Sequence, residues 1–163
     1  RDSAVSVDIA NRTLMEKSRF GSEMEFFDDT VGWAHGALDV MRAAGHSPVG
    51  VAFNGKATDP RYFNKRAEMW MEMAKWVQGG GALPNIPELV RELTAPTYTY
   101  SQGKFQLEDK GQIKLRLGFS PDLGDALALT FAIPERGKME NFPGFDQSNQ
   151  LKHDYDPYSP ERI

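Results

Sequence analysis

Two aspartates, Asp122 and Asp125, stand one helical turn apart in S-P-D-L-G-D-A-L-A-L-T-F-A, at the front of an otherwise apolar run. A second acidic pair, Asp28 and Asp29, closes the apolar stretch in F-F-D-D-T, and Asp8 sits in V-S-V-D-I-A. Carboxylates delivered from separate elements suit magnesium, a hard ion that takes oxygen ligands, few of them from protein. Two such ions about 4 Å apart can activate a water and stabilise the leaving oxygen of a phosphodiester. A plainer reading of Asp122 stands beside this one. Ser120 can cap the helix and Pro121 fits its first turn. A carboxylate at the positive end of the helix dipole is then stabilising by roughly 0.3–1 kcal/mol. Asp125 lies one turn deeper, with Ala126 and Leu129 on its own face and Leu123, Leu127 and Phe131 on the others. A helix that is apolar nearly all round is buried, and a buried carboxylate needs a cation, hydrogen-bond donors or a metal.

The basic residues have two readings each. Asn64, Lys65, Arg66 and Glu68 fall in N-K-R-A-E-M-W, either as a solvated helix start with ordinary ion pairs or as support for a site. Lys110, followed by Lys114 and Arg116, makes the best basic patch, suited to phosphate contact or to a solvated turn. His35, in W-A-H-G, reads as a residue capping or lining a helix; His46 and His153 show no ligand spacing.

These residues must be carried by elements that the pattern suggests. Ala4–Ile9 alternates and predicts a strand; Thr13–Phe20 predicts a second, and Met24–Phe27 a third that ends in Asp28-Asp29-Thr30. Trp33–Ala44 predicts a helix, closed by Gly45. Pro48–Phe53 predicts a buried strand broken by Asn54-Gly55. The clearest helix runs over Arg61–Gln78, with Asp59 as N-cap, Pro60 in its first turn, and an apolar stripe of Phe63, Ala67, Trp70, Ala74 and Val77. A short helix over Pro87–Leu93 and a hairpin of Thr97–Tyr100 with Lys104–Leu107 follow. Ile113–Leu117 predicts a helical turn, and Ser120–Ala132 the last helix. Strands first, then strands and helices in alternation, imply a mixed sheet covered by helices.

The bulk composition narrows the classes. With 163 residues, no cysteine and a formal net charge of -4, the chain suits one domain without disulfides or cysteine-zinc sites. An acidic chain does not grip nucleic acid by bulk charge, so such a role would rest on a local patch or on metal ions. No run approaches the roughly 18 apolar residues of a membrane span, and the N-terminus lacks the pattern of a secretory signal. No G-x-x-x-x-G-K-[ST] phosphate loop occurs.

Several stretches in order resemble one family. They are F-F-D-D-T-V-G-W-A-H-G-A-L-D, V-A-F-N-G-K-A-T-D-P-R-Y-F-N-K-R-A-E-M-W, L-E-D-K and S-P-D-L-G-D-A-L-A-L-T-F-A. Together, over roughly Phe26 to Pro134, they are similar to the nuclease domain of tailed-phage terminase large subunits. The resemblance implies an α/β, ribonuclease H-like mixed β-sheet flanked by helices over residues 1–134. An irregular C-terminal tail over 135–163, rich in Pro, Gly, Asp, Asn and Tyr, follows from composition. It implies cleavage of double-stranded concatemeric DNA during genome packaging, with two Mg2+ or Mn2+ ions.

Carried over by motif, Asp28 and Asp122 match two catalytic, metal-holding acids, with Asp29 the adjacent alternative to Asp28, and Asp125 a further acid of the last motif implied to help hold the metal. Asp8 matches a first acid in V-D-I-A. The other reading places that acid upstream of Arg1, with the N-terminal part truncated or incomplete. Lys65, Arg66, Lys110 and Lys114 are the implied DNA contacts. Expected partners are DNA, a portal protein, a small terminase subunit and an ATPase domain upstream in the full-length protein, in the host cytoplasm and without a membrane. The alternative is a non-catalytic docking module or remnant of the packaging machine with an incomplete acid set, whose tail, D-Y-D-P-Y-S-P-E, docks on another packaging protein.

Overall fold

A computed structural model describes residues 3–133; the expected irregular tail lies outside them. The first element is a helix, α1 (Ser3–Phe20), over the stretch where two strands are expected. The alternation of A-V-S-V-D-I misleads because Val5, Val7 and Ile9 all face outward, 55%, 42% and 43% exposed. The inward stripe is instead Ser6, Ala10, Thr13, Leu14 and Lys17, spaced at three and four residues as a helix requires. Apart from Leu14 its residues are small or polar, so hydropathy does not mark it. Ala10 packs on Ala37 and Met41 of α2 (His35–Ala43). The two helices approach closely because Gly36 has no side chain: a Cβ there would lie 2.3 Å from Ser6 Oγ.

Strands β1 (Phe26–Asp28) and β2 (Val49–Val51) flank α2 and pair in parallel, Phe26 opposite Val49 and Asp28 opposite Val51. The unit is a short βαβ crossover. Gly45, at φ +85°, ends α2 where a glycine is expected. Helix α3 (Lys65–Gln78) starts four residues later than its pattern suggests. The intervening chain is taken by a tertiary bridge: Phe63 N–H donates to Phe105 C=O at 2.9 Å, and Phe105 N–H to Arg61 C=O at 2.8 Å. Asn64 therefore becomes the N-cap, accepting from Ala67 N–H, while Asp59 caps a local turn through Arg61 N–H. The buried face of α3 also differs from the expected stripe. Met69 and Met73 go inside with Ala67 and Trp70, whereas Phe63 is 41% exposed.

Helix α4 (Pro87–Leu93) has the bounds its proline and length suggest. The hairpin of β3 (Tyr98–Ser101) and β4 (Lys104–Leu107) turns on Gln102 and Gly103. Both have positive φ, +52° and +74°, the two-residue turn that matches strand twist. Helix α5 (Lys110–Leu117) is longer than the expected turn, because Asp109 caps it through Gly111 N–H at 2.7 Å. Helix α6 (Asp122–Leu129) is shorter than expected at both ends. The main core joins β2, α3 and α6 through Val51, Phe53, Met69, Trp70, Ala128 and Leu129. Among the described residues, no helix is long and apolar enough to cross a membrane.

Candidate functional site

Asp28 ends β1 and is exposed. Its Oδ1 accepts from Thr30 N–H at 3.0 Å and from the Thr30 hydroxyl. The Thr30 oxygen in turn accepts Phe53 N–H, also at 3.0 Å. One carboxylate oxygen is thus fixed by a residue that is itself fixed to the loop after β2. Asp29 is engaged elsewhere: Oδ1 accepts Ala34 N–H at 3.0 Å, and Oδ2 lies 2.8 Å from His35 Nε2, so it organises the start of α2. Asp28 opens onto a cavity of about 230 Å³ shared with Thr30, Asn54, Asn64, Asp109 and Lys110.

Lys110 links this cavity to α6. Its Nζ is 3.2 Å from Asp122 Oδ1 and 3.0 Å from Asp125 Oδ2. Burial works against the charge on Lys110, but the two carboxylates outweigh it and hold the lysine pKa above its ordinary value. The Asp122 carboxyl is held below its ordinary value: partial burial would raise it, and hydrogen bonds from Lys110 and Ser120 prevail. The Ser120 hydroxyl donates to Asp122 Oδ1 at 3.0 Å. Ser120 therefore serves the side chain of Asp122 rather than capping α6.

Asp125 is only 3% exposed. The need for a partner is met by protein: Oδ1 accepts Arg66 Nε–H at 2.8 Å and Trp70 Nε1–H at 2.6 Å. Arg66, also buried, gives Nη1–H to Glu108 C=O at 2.7 Å, and its guanidinium lies 5.6 Å from the Trp70 ring centre. Asp125 and Arg66 are thus engaged with one another inside, and Arg66, expected as a DNA contact or as support for the site, is buried and lines the cavity of Asp28. Lys65 is likewise turned inward, 2.7 Å from Glu68. Glu68 also receives Thr58 and Asp59 N–H and ties the loop before α3 to that helix. Burial alone would raise the Glu68 carboxyl; these donors hold it below its ordinary value. Lys114 stays exposed on α5, near enough to Asp122 to favour its charge.

Asp8 does not stand in a strand. It lies on the exposed side of α1, 3.1 Å from Arg12, and lines a shallow depression with Ala4, Val7 and Asn11, apart from the cavity of Asp28. The strand placement on which its role as a first acid rests is corrected by the helical stripe of α1.

Four residues of the site escape sequence reasoning as site residues. Thr30 anchors Asp28. Trp70, read as core alone, donates to Asp125. Asp109 caps α5 beside Lys110, and its place before a helix of K-G-Q-I-K-L is a legible N-cap signal. Glu92 is the fourth. This α4 residue is 4% exposed, and its Oε2 accepts Leu123 N–H at 2.6 Å and Gly124 N–H at 3.1 Å. Pro121, at the N-cap of α6, supplies no side-chain cap.

Hard carboxylate oxygens at Asp28 and Asp122 fit Mg2+ or Mn2+, which bind through one or two carboxylates completed by water and phosphate oxygens. Among the described residues, no group of three or more His, Asp or Glu side chains could hold a metal ion. A three-acid set of Asp8, Asp28 and Asp122 is therefore not assembled.

The βαβ unit, the hairpin and helix α6 make an α/β fold, and that fold matches solved nuclease domains of a large terminase subunit. The chain is similar to the solved nuclease domain of the large terminase subunit gp2 of bacterial virus Sf6, with a TM-score of 0.60 and 20% identity, covering 77% of this chain and 71% of that one. A lysine-to-alanine mutant of that domain with manganese gives a TM-score of 0.61 at 20% identity, over 77% and 72% of the two chains. The same mutant with calcium gives 0.60 at 20% identity, over 77% and 71%. No family model and no curated protein matches the chain. At this identity the likeness establishes the fold; function has to be argued from the site.

Proposed function

We propose that this chain is a divalent-metal-dependent DNA endonuclease domain of a phage terminase large subunit, cutting double-stranded concatemeric DNA during packaging. The observation that carries the reading is Lys110, which lines the Asp28 cavity while its Nζ reaches Asp122 and Asp125 on α6. This lysine joins the two motifs that match the family's acids in one electrostatic unit. Asp28 and Asp122 supply hard oxygens for Mg2+ or Mn2+, and water and the substrate phosphate complete the donor set. Asp28 and Asp122 would hold such ions, which when bound would supply water activation and charge neutralisation at the phosphoryl group. Thr30 and Ser120 fix the two carboxylates. Lys110 and Lys114 supply positive charge for the DNA backbone, which gives position without sequence preference.

The domain would work in the host cytoplasm beside an ATPase domain, a portal protein and a small terminase subunit. A plasmid-nicking assay with manganese tests the reading. Wild type is expected to nick, and Asp28→Ala and Asp122→Ala to abolish nicking; cleavage that survives both substitutions removes the proposed site.

A second reading, a non-catalytic module of the packaging machine, is favoured by one observation: the described residues do not assemble a three-acid cluster. Folded wild-type protein that never nicks DNA would support it.

A further inference from the structure

We infer that Glu92 is a positioning residue for Asp122, acting through the first turn of α6; the inference rests on the metal-binding reading of Asp122 above. A helix start leaves four N–H groups without intrahelical partners. A Ser, Thr, Asp or Asn N-cap usually answers one of them, but α6 has Pro121 there. Its first turn is held from outside. Glu92 Oε2 takes the Leu123 and Gly124 N–H groups, 31 and 32 positions away in the chain. The turn also meets the Trp70 ring: a Cβ on Gly124 would lie 2.9 Å from it, and 3.7 Å from the Glu92 carbonyl oxygen. Trp70 also donates to Asp125, one turn on. The residue preceding the two clamped amides is Asp122.

Glu92 acts in two ways at once. It fixes where the α6 backbone begins, and therefore where the Asp122 side chain starts. It also places a buried negative charge on the positive end of the helix dipole, whose attraction would otherwise fall on Asp122. With that attraction answered, Asp122 offers more of its negative charge to a cation. Neither effect needs Glu92 to touch metal or substrate. Groups hydrogen-bonded to a metal ligand typically change metal affinity by about 10–100-fold when lost, and a group that acts through the backbone beside the ligand is expected at the low end of that range.

The test uses the full 163-residue chain and free Mn2+ as probe, read by electron paramagnetic resonance of the unbound ion, with amide hydrogen exchange at Leu123 and Gly124 alongside. Glu92→Ala is expected to weaken Mn2+ binding about 10-fold or more and to raise exchange at those two amides. Glu92→Gln keeps an acceptor oxygen and loses the charge, so it is expected to restore exchange protection and to recover Mn2+ affinity only in part. In the nicking assay the Mn2+ half-saturation is expected to rise more than kcat falls. If Asp122→Asn weakens Mn2+ binding while Glu92→Ala leaves it unchanged with the amides deprotected, the positioning role is overturned alone. If Asp122→Asn binds Mn2+ as wild type does, the metal reading of Asp122 fails, and this inference with it.

Discussion

Arg66 and Asp125 meet at 2.8 Å across 59 positions of sequence, their side chains 8% and 4% exposed. The carboxylate takes the Trp70 N–H as well, so one buried acid joins α3 to α6. Breaking such a pair leaves an uncompensated buried charge, at a cost of about 3–5 kcal/mol. Asp125→Ala is therefore expected to lose about that much stability in urea unfolding. A double variant, Arg66→Met with Asp125→Leu, removes both charges and is expected to recover a good part of the loss. A single variant as stable as wild type would show that the pair does not hold the helices.

Glu108 gives a pH signature. Hydrogen bonds from Arg116 and from the Thr97 backbone N–H pull its carboxyl down to about 2. A depressed carboxylate adds stability above its unfolded pKa of about 4.3, and that stability is lost as pH falls through the folded value. Between roughly pH 4.5 and 2, the wild type should lose stability that Glu108→Gln has already forfeited. Chemical denaturation across that window should give a flatter acid limb for the variant; identical limbs would rule out the linkage.

Gly124 is fixed by the indole of Trp70. The ring edge would be 2.9 Å from a new Cβ, and a ring held by its own N–H bond to Asp125 has little room to move. Gly124→Ala gains up to about 1 kcal/mol of helix propensity, but overpacking of this kind costs about 1–3 kcal/mol. A net loss is expected in thermal unfolding, with the α6 start displaced and Mn2+ affinity reduced. A stabilised variant would show that the turn can shift freely.

Thr30 carries the orientation of Asp28. Thr30→Val removes the hydroxyl that donates to Asp28 and accepts from Phe53 N–H. Metal affinity is expected to fall about 10–100-fold, as for other groups that orient a ligand. Calorimetric titration with Mn2+ measures it directly, and unchanged affinity would show that the Thr30 hydroxyl does not orient Asp28 for a metal.

How much of this was legible depends on whether the signal is local. Pro87 at the start of α4, the short apolar strand into Asp28, and Gly103 in the hairpin turn each announce themselves within a few residues. Helix α1 does not, because its inward stripe is built of Ser6, Ala10 and Lys17 while Val5 and Ile9 face out. The two acids of the last helix were legible as a puzzle and not as a solution. That Asp125 needs a partner follows from its apolar surroundings, but Arg66 and Trp70 are supplied by another helix, 59 and 55 positions away. The same holds for Glu92, whose role appears only when α4 and α6 are side by side. The resemblance implies Asp28 and Asp122 through whole motifs and Asp8 through the letters V-D-I-A, in a segment that folds as helix α1 and not as a strand.

The order of these contacts along the polypeptide also bears on the birth of the molecule. Chains emerge from the ribosome N-terminus first. Asp28 and Thr30 can therefore meet their partner at Phe53 early, whereas Arg66, Trp70, Glu92 and Lys110 must all wait for residues 122–125. Before α6 is made, the Arg66 guanidinium lacks its Asp125 partner and the Trp70 N–H lacks its acceptor. Four long-range contacts, from three helices, then come down to one late event, the arrival of a single eight-residue helix.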